Sequence, residues 1–371
     1  MRVMYFTESD SPHDQRFLRA LAGTTHQVYA LRQFPCFPKT PQGIMELGWP
    51  EKAPDWTDWR GWENGKVQIQ RIISKVQPDL LHAGPVQGPA LLAAITGFHP
   101  LVTMSWGSDL LLQAKRSPWM RFATQFTLDN TDIFLGDCQI VVDEAARYGF
   151  PRERMVRFPW GVDLDHFSPR NGAVGGSALL DSLGWHDRFV ILCNRTWAPL
   201  YGVDVLAKAF AMAVQQNPGL RLILAGDGPQ SNLIHQILAP VIERVSFPGR
   251  FEQEDLPGLY CAADLYVSPS HSDGSSVSLL EALACGRPVL VSDIPSNREW
   301  VIPEEVGGIF RDGDEVDLSR KMLMMAEDQK LGQYGRRARV LAEARADWDK
   351  NFQRLLSAYQ KALHIKNSTR G

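Results

Sequence analysis

Two carboxylates eight positions apart, Asp273 and Glu281, are the first candidates for chemistry in this sequence. They lie in residues 262–293, whose pattern predicts a strand, a loop, a helix and a second, parallel strand, with Gly286 ending the helix. Ligands of parallel α/β sheets bind at the carboxyl ends of the strands, where the free N–H groups of the next helix favour phosphate. The segment therefore predicts a site for an extended ligand that carries phosphates and hydroxyls.

Glu281 lies on the predicted helix among neighbours that are almost all apolar, so the helix is expected to be buried. A buried carboxylate is costly without a partner. The partner is either a ligand or a group of the protein itself, such as an arginine or the backbone, and the helix alone favours neither. Ser275 or Ser276 is expected to cap this helix.

The composition predicts a globular protein of two domains. The 371 residues are too many for one ordinary core, and 44% hydrophobic with 22% charged residues is typical of soluble proteins. A net charge of −3 gives no reason to expect nucleic acid as a partner. The five cysteines are scattered and form no CxxC pair. The first residues predict a strand and do not resemble a signal peptide. No apolar run in the sequence is long enough to span a bilayer. A cytoplasmic protein with reduced thiols is expected.

Strands and helices alternate in two separate stretches, which predict two doubly wound Rossmann-like domains of the α/β class. The N-terminal domain is expected over residues 1–165 and the C-terminal domain over 170–345, with 172–184 resembling a linker. A last helix, over about 346–371, is expected to cross back and complete the N-terminal domain. A cleft between two such domains is a good ligand site.

A Pro- and Trp-rich stretch, residues 33–65, is predicted to be a long surface excursion. Trp56, Trp59 and Trp62 recur in it at helical spacing. Packing of these rings on their own domain is favoured over stacking on a sugar or contact with a membrane interface.

Several short motifs exclude other chemistries. GDGPQS (226–231) lacks the third glycine of the dinucleotide motif GxGxxG, which disfavours a nicotinamide-dependent oxidoreductase. DLD (163–165) and DGD (312–314) imitate a metal-binding DxD, but neither has supporting ligands, so both are interpreted as turn residues. No His/Cys cluster has zinc spacing, and GxSxG and GxxxxGK[ST] are absent from the sequence.

Five ordered motifs together carry a family resemblance. SDGSSVSLLEALACGRPVLVSD resembles the E-x7-E signature of family-4 retaining glycosyltransferases of the GT-B fold (glycosyl transferases group 1), with Asp273 and Glu281 at the acidic positions. The others, in chain order, are FPWGVDLDHFSP, CNRTWAPLYGVDVLAKAF, LILAGDGP and VSFPGRFEQEDLPGLYCAADLYVSPS. The resemblance covers about residues 155–310; before that, chiefly MSWGSD is similar to the family's HGxD.

The resemblance implies two Rossmann-like domains that face a cleft, and retaining transfer of a hexosyl unit without a metal or cofactor. The donor would be a nucleotide sugar, with UDP the family's usual nucleotide, and the acceptor a growing glycan, a lipid-linked saccharide or a small molecule. Glu281 would bind the ribose hydroxyls and Asp273 the sugar. At the diphosphate, the resemblance implies Arg195 and the N–H groups of Gly274, Ser275, Ser276 and Val277. Beside the base it implies Gly249, Arg250 and Phe251. Glu299 stands at the position of a later Glu in the family pattern.

Three positions depart from the family pattern. Asp273 is one methylene shorter than the usual Glu, Tyr201 stands where the family has a lysine that binds diphosphate, and Trp106 replaces a histidine. The candidates for a group of the N-terminal domain that faces the reacting sugar are then Asp109 and two histidines, His13 and His82.

The stretch from Leu110 to Phe126 mixes three basic residues with aromatic ones. This composition suits a helix that lies on an anionic membrane, which would make the protein peripheral to the inner membrane face. It suits an amphipathic helix packed on its own sheet equally well.

Two other functions fit the departures. A non-catalytic subunit would bind a nucleotide sugar without turnover, and a GT-B sugar-nucleotide epimerase or phosphorylase would use the same binding site for different chemistry. Incubation with nucleotide sugars in the absence of an acceptor separates these functions from a transferase.

Overall fold

The computed structural model describes residues 1–9, 11–34, 40–50 and 59–368. The chain forms two compact units: unit 1 comprises Met1–Phe158 and Phe352–Gly371, and unit 2 comprises Pro159–Asn351. The chain passes from unit 1 to unit 2 after Phe158, a few residues before the boundary at 165–170 that the sequence predicts. It returns to unit 1 at Phe352, a few residues after the predicted position of about 346. Among the described residues, no helix combines the length and the apolar character that a bilayer crossing requires.

Unit 1 is built on a seven-stranded sheet in which all strands are parallel. Its elements are β1 (Arg2–Thr7), α1 (Pro12–Ala22), β2 (Gln27–Arg32), β3 (Ile44–Leu47), α2 (Trp59–Val76), β4 (Leu80–Ala83), α3 (Pro89–Ile95), β5 (Leu101–Met104), α4 (Ser108–Leu111), α5 (Pro118–Asp129), β6 (Ile133–Gly136), α6 (Gln139–Arg147) and β7 (Met155–Arg157). The strand order is β3-β2-β1-β4-β5-β6-β7. β4, β5 and β6 are buried along their whole length, as expected for strands covered by helices on both faces.

Unit 2 is built on a six-stranded parallel sheet in the order β10-β9-β8-β11-β12-β13. Its elements are α7 (Pro169–Leu183), β8 (Phe189–Cys193), α8 (Val203–Gln216), β9 (Leu220–Leu224), α9 (Ser231–Leu238), β10 (Val245–Ser246), α10 (Leu256–Cys261), β11 (Leu265–Ser268), α11 (Val277–Ala284), β12 (Val289–Ser292), α12 (Pro295–Arg298), β13 (Gly307–Phe310), α13 (Glu315–Glu327) and α14 (Leu331–Arg345). β11 and β12 are parallel, as the sequence predicts for residues 262–293. The prediction of two doubly wound α/β domains is thereby confirmed.

The last helix, α15 (Trp348–Ser368), begins in unit 2 and belongs to unit 1 from Phe352 onward. Its apolar stripe is buried, including Leu355 and Tyr359. The Tyr359 hydroxyl lies 2.7 Å from Nδ1 of His82 on β4. The C-terminal helix therefore returns to the first unit, as expected.

The stretch predicted to be a linker, residues 172–184, is helical instead. It forms most of α7, which is capped by the Ser168 hydroxyl and ends at Gly184 in a left-handed conformation. A Cβ added at Gly172 would lie 2.2 Å from the Pro257 carbonyl oxygen of α10. The glycines that resemble a linker in the sequence are thus the residues that let two helices approach closely.

The predicted surface excursion is also more ordered than expected. Within its described part, β3 pairs in parallel with β2, and α2 begins at Trp59, before the predicted excursion ends at residue 65. Trp62 is half-buried and packs against the core of unit 1. Trp56 and the side chain of Trp59 lie outside the described residues.

The stretch from Leu110 to Phe126 does not form one helix. α4 ends at Leu111, a 3-10 turn covers Gln113–Lys115, and α5 begins at Pro118 after the capping residue Ser117. The proline and the serine cap explain the break, because proline is favoured in the first turn of a helix and lacks the N–H that a helix interior needs.

We expect Gly172→Ala to lower the free energy of unfolding by about 1–3 kcal/mol, because the backbone of α10 must shift to admit the methyl group. Ser177→Ala is the matched control, since Ser177 is exposed on the same helix and its replacement should change stability by about 0.5 kcal/mol or less. Urea unfolding followed by circular dichroism measures both. Equal stability of the two variants would contradict close packing of α7 on α10.

Candidate functional site

The loop between β11 and α11 places Asp273, Ser275 and Ser276 at the carboxyl end of the unit 2 sheet. Ser276 occupies the N-cap position, but its side chain makes no capping hydrogen bond. Ser275 is buried, and its hydroxyl accepts a hydrogen bond from Trp300 at 3.3 Å. The expected capping by Ser276 is therefore absent, and the first N–H groups of α11 carry the partial positive charge of a helix start.

Arg195, two residues after β8, organises this loop. Its Nη2 donates to Asp273 Oδ2 at 2.6 Å, and its Nη1 donates to the hydroxyls of Ser276 and Ser278 at 2.9 Å each. The Arg195 side chain is only 12% exposed. Its Nε is buried without a hydrogen-bond partner among the described residues. A nearly buried guanidinium with unused hydrogen-bonding capacity thus lies at the start of α11.

The ring of Tyr201 covers Arg195, with the guanidinium carbon 4.4 Å from the ring centroid. Tyr201 ends a short 3-10 turn, and Gly202 follows in a left-handed conformation with φ of +58°. A Cβ at Gly202 would lie 2.2 Å from the Pro269 carbonyl oxygen. The loop after β8 and the loop after β11 are therefore in close contact, and Tyr201 forms a cation–π contact where the family pattern has a lysine.

Burial and pairing act in opposite directions on the two charges of this cluster. Burial raises the pKa of Asp273, whereas the Arg195 charge and the Gly274 N–H lower it. The Asp273 carboxylate in turn raises the pKa of Arg195 against the effect of burial. Because the two groups are 2.6 Å apart, we interpret them as an ion pair that is held in place by the surrounding serines.

Glu281 is buried about one turn after the first residue of α11, with 6% exposure. Its Oε2 accepts a hydrogen bond from the Tyr260 hydroxyl at 2.7 Å, and the Asn194 side-chain amide donates to the same hydroxyl at 2.7 Å. Burial and the nearby Glu281 raise the pKa of Tyr260, so the phenol stays protonated and donates. Of the two alternatives left open by the sequence, a partner from the protein itself is present, although it is a tyrosine rather than an arginine or the backbone.

The remaining predicted donor-site residues border the same edge of the sheet. Gly249 has a φ of +79°, and its carbonyl accepts a hydrogen bond from the Gly226 N–H at 2.7 Å. Arg250 is exposed, and Phe251 is half-buried against the core of unit 2. Glu299 is half-buried at the end of α12. The roles of these residues stay predictions.

Asp109 in unit 1 is buried and holds the surrounding loops together. Its carboxylate accepts hydrogen bonds from the Ser105 hydroxyl at 2.6 Å and from the N–H groups of Val86, Trp106 and Leu110 at 2.9, 3.1 and 2.9 Å. Burial raises its pKa, and these hydrogen bonds lower it. These hydrogen bonds join the loops around Asp109, and its catalytic role stays a prediction.

His82 does not reach the edge of the sheet, contrary to expectation. It lies within β4, is 1% exposed, and its Nδ1 is hydrogen-bonded to Tyr359. Burial lowers the pKa of His82 to about 3, so the imidazole is neutral. A side chain in this position cannot exchange protons with a sugar at the sheet edge.

His13 is the one of the three candidates that is accessible. It is half-buried near the start of α1, and its ring centroid lies 5.9 Å from that of Trp106. Trp106 lies two residues after the end of β5. The structure thus brings together a histidine and the tryptophan that replaces the family's histidine.

The two DxD-like motifs serve as turns, in agreement with their interpretation from the sequence. Asp163 accepts from the N–H groups of Asp165 and His166 at 3.0 and 2.9 Å. Asp314 caps α13 by accepting from the N–H groups of Val316 and Asp317. In the described part of the chain, no group of three or more His, Cys, Asp or Glu side chains could hold a metal ion.

Three residues of the cluster were not predicted: Ser278, Tyr260 and Asn194. The serine offers a weak signal, because Ser276 and Ser278 follow the loop on an otherwise apolar helix. Tyr260 and Asn194 lie 21 and 87 residues before Glu281, and the contacts of Tyr260 with Glu281 and of Asn194 with Tyr260 arise only from the fold.

Comparison with known families identifies the class of the protein as a glycosyltransferase, and its fold is GT-B. Residues 187–328 match the family described as "Glycosyl transferases group 1", and residues 2–137 match the one described as "Glycosyl transferase 4-like". The chain belongs to the group 1, family-4-like glycosyltransferases.

Curated relatives are about 30% identical to this chain over the residues that align. A GDP-mannose-dependent monoacylated alpha-(1-6)-phosphatidylinositol monomannoside mannosyltransferase of Corynebacterium glutamicum is 30% identical over 212 residues, which is 54% of this chain and 55% of the relative. A D-inositol 3-phosphate glycosyltransferase of Thermomonospora curvata is 31% identical over 241 residues, covering 60% and 55%. The chain spans about half the length of the curated relatives it matches.

Solved structures resemble the whole chain. HepE of Anabaena, in a complex with UDP, has a TM-score of 0.80 at 19% identity, covering 97% of this chain and 100% of HepE. Sucrose-phosphate synthase of Thermosynechococcus elongatus has a TM-score of 0.78 at 20% identity, covering 98% and 99%. At these identities the likeness shows the GT-B fold.

The pH dependence of stability tests whether His82 is buried as a neutral imidazole. The unfolded chain binds a proton at this imidazole near about pH 6.5, whereas the folded pKa is lowered to about 3. The folded protein therefore loses stability as the pH falls below about 6.5, and the loss grows until about pH 3. When the pH is lowered from about 7 to about 5, the free energy of unfolding should fall in both proteins. We expect the fall to be about 2 kcal/mol smaller in His82→Gln than in the wild type.

Urea unfolding at the two pH values measures this difference, with His186→Gln as the control at an exposed histidine of unit 2. An unchanged pH dependence in His82→Gln would mean that His82 can be protonated in the folded protein.

Proposed function

We propose that the chain is a retaining glycosyltransferase that moves a hexosyl unit from a nucleoside-diphosphate sugar to a saccharide or lipid-linked acceptor. The observation that carries the proposal is the Arg195 cluster at the start of α11, with Glu281 further along the same helix. Membership of the group 1 glycosyltransferases supports it.

The chemistry of transfer explains why such a cluster is useful. Transfer breaks the bond between the anomeric carbon and a diphosphate oxygen, and negative charge develops on the departing nucleoside diphosphate. A guanidinium and the N–H groups of a helix start, fixed before the reaction, stabilise that charge. Arg195 and the N–H groups near Ser276 and Val277 supply these parts in unit 2, so no metal ion is needed.

Glu281 is proposed to bind the ribose of the donor. A carboxylate has two oxygens that can each accept more than one hydrogen bond, so the Tyr260 hydroxyl on Oε2 does not use its full capacity. Tyr260 also fixes the orientation of the carboxylate, which lowers the entropy that ligand binding must overcome.

Two nucleotides are candidates for the donor. The Corynebacterium relative is GDP-mannose-dependent, whereas HepE was solved in a complex with UDP. UDP sugars are the donors implied by the family resemblance, and they are tested first, beside GDP-mannose. Gly249, Arg250 and Phe251 would border either base.

The acceptor is proposed to bind unit 1 near His13 and Trp106. An aromatic ring that faces a sugar can stack on it, and the imidazole of His13 can exchange a hydrogen bond with an acceptor hydroxyl. A lipid-linked acceptor is supported by the phosphatidylinositol mannoside named for the Corynebacterium relative.

A second candidate function follows from Tyr201. The aromatic ring stacks on Arg195 where a lysine would bring a second positive charge to the diphosphate. A subunit that binds a nucleotide sugar without turnover would tolerate this loss, because binding requires less charge stabilisation than bond cleavage.

A donor panel without acceptor separates the candidates. UDP-glucose, UDP-galactose, UDP-N-acetylglucosamine and GDP-mannose are incubated with the protein, and free nucleotide is measured. A transferase should release nucleotide slowly by hydrolysis of one donor, and an epimerase should convert the sugar without release. Nucleotide binding without release from any donor would favour the non-catalytic subunit. Retention is then read from the anomeric configuration of the product by nuclear magnetic resonance.

We expect Glu281→Gln to weaken binding of the released nucleotide by about 10-fold to 100-fold, since hydrogen bonds to a charged acceptor contribute about 1.5–3 kcal/mol. Isothermal titration calorimetry measures the affinity. Tyr260→Phe serves as the matched variant, because it leaves the carboxylate in place and removes its partner. If both variants lose stability while the affinity of each stays at the wild-type value, Glu281 is only structural and the assignment to the ribose is wrong.

We expect Tyr201→Lys to tighten binding of the nucleoside diphosphate by about 10-fold, because it adds a charge-assisted contact. Tyr201→Leu is the control, since it removes the ring without adding charge. Equal affinities of the lysine variant and the wild type would show that Arg195 alone meets the need for positive charge.

A further inference from the structure

The surface of α5 carries two large aromatic side chains that its sheet does not cover. Trp119 is 56% exposed and Phe122 is 57% exposed. Their ring centroids are 5.7 Å apart, and Phe122 lies 6.1 Å from Phe126. Soluble proteins avoid such contiguous aromatic surface unless it has a binding partner. We call Trp119, Phe122, Arg116 and Arg121 the aromatic–basic patch.

The helix itself explains why these side chains point outward. The opposite face of α5 is buried in unit 1, with Ala123, Thr124, Thr127 and Leu128 as its buried residues. Trp119 and Phe122 are three positions apart and therefore share the other face. Ser117 caps the helix and fixes where the patch begins. The aromatic rings are thus held in place on a rigid helix.

The patch is positively charged. Arg116 and Arg121 are exposed, and within the described residues neither side chain forms an ion pair. Lys115, next to them, is paired with Glu144, which also binds Arg147 of α6. From residue 110 to residue 128 the sequence contains no acidic residue.

We propose that the aromatic–basic patch docks the protein on the surface of an anionic lipid bilayer. Exposed Trp and Phe rings enter the headgroup region of a bilayer, where an amphipathic ring has both apolar and wet surroundings. Unpaired arginines beside them are attracted to negatively charged headgroups. Arg121 is next to Phe122 on α5, and Arg116 directly precedes the capping residue Ser117, so the charges and the rings lie near the same end of the helix and can make both contacts at once.

A second copy of this chain fits the patch less well than a bilayer does. Pairing of two identical patches would place the arginines of both copies near each other, and like charges across an interface are costly. Docking of this kind needs no particular glycosyl donor, so it stands independently of the function proposed above.

Vesicle sedimentation tests the proposal with the full chain. The protein is mixed with vesicles of phosphatidylcholine, with or without about one third phosphatidylglycerol, and the bound fraction is measured. We expect binding to the anionic vesicles that decreases with salt, and weak binding to the neutral ones. Trp119→Ala with Phe122→Ala should weaken binding about 10-fold or more, and Arg116→Gln with Arg121→Gln about 10-fold.

Matched controls remove similar groups from unit 2. Val316 and Met324 are 60% and 58% exposed on α13, and their replacement by Ala should leave vesicle binding unchanged. Arg170→Gln with Arg188→Gln removes the same charge from exposed positions. Circular dichroism and nucleotide affinity confirm that each variant is folded.

Two results would overturn the proposal. One is equal vesicle binding by the patch variants and their controls. The other is a wild-type dimer in light scattering without lipid that the Trp119→Ala, Phe122→Ala variant converts to a monomer, since the patch would then bind a second copy. Nucleotide release is measured for the same patch variants. A variant that loses vesicle binding but still releases nucleotide shows that docking and the proposed transferase function are tested separately.

Discussion

The charge of Arg195, held away from water, constrains most of the candidate site. A guanidinium with little exposure needs a counter-charge and partners for its N–H groups. Asp273 supplies the counter-charge, and Asp273, Ser276 and Ser278 accept hydrogen bonds from the Nη groups, which fixes the loop after β11 and the first turn of α11. The same constraint explains why Ser276 does not cap its helix, because its hydroxyl faces Arg195. Asp273 supplies the negative charge that pairs with Arg195 in this cluster.

The architecture of both units can be predicted from the pattern of apolar and turn residues in the sequence. Buried parallel strands are short apolar runs between turn residues, and their alternation with helices leaves little choice of fold class. The segment around Glu281 was predictable for this reason. The partner of Glu281 was not, because Tyr260 lies on another helix and only the packing of α10 beside α11 brings its hydroxyl to 2.7 Å. Local patterns carry no information about such distances.

Two errors in interpreting the sequence have a common physical cause. Glycines in α7 suggest flexibility when they are considered alone, yet a helix whose glycines meet another backbone is rigid and close-packed. His82 and Asp109 suggest catalysis by their residue types. The structure buries His82 beside Tyr5 and Tyr359 and gives Asp109 four hydrogen bonds, so both side chains have structural contacts within unit 1. The environment of a titratable side chain decides its task, and the sequence shows only its identity.

The return of α15 to unit 1 has a consequence for how the protein is made. The ribosome synthesises all of unit 2 before the residues from Phe352 onward appear, and these residues cover the first sheet with Leu355 and Tyr359. Until then His82 lacks its tyrosine partner, and apolar surface of the N-terminal sheet is open to water. Unit 2, whose strands and helices are continuous in the sequence, can close first. The N-terminal unit is therefore the last to be completed, and a chain that stops at residue 351 contains all of unit 2 but lacks the helix residues that complete unit 1.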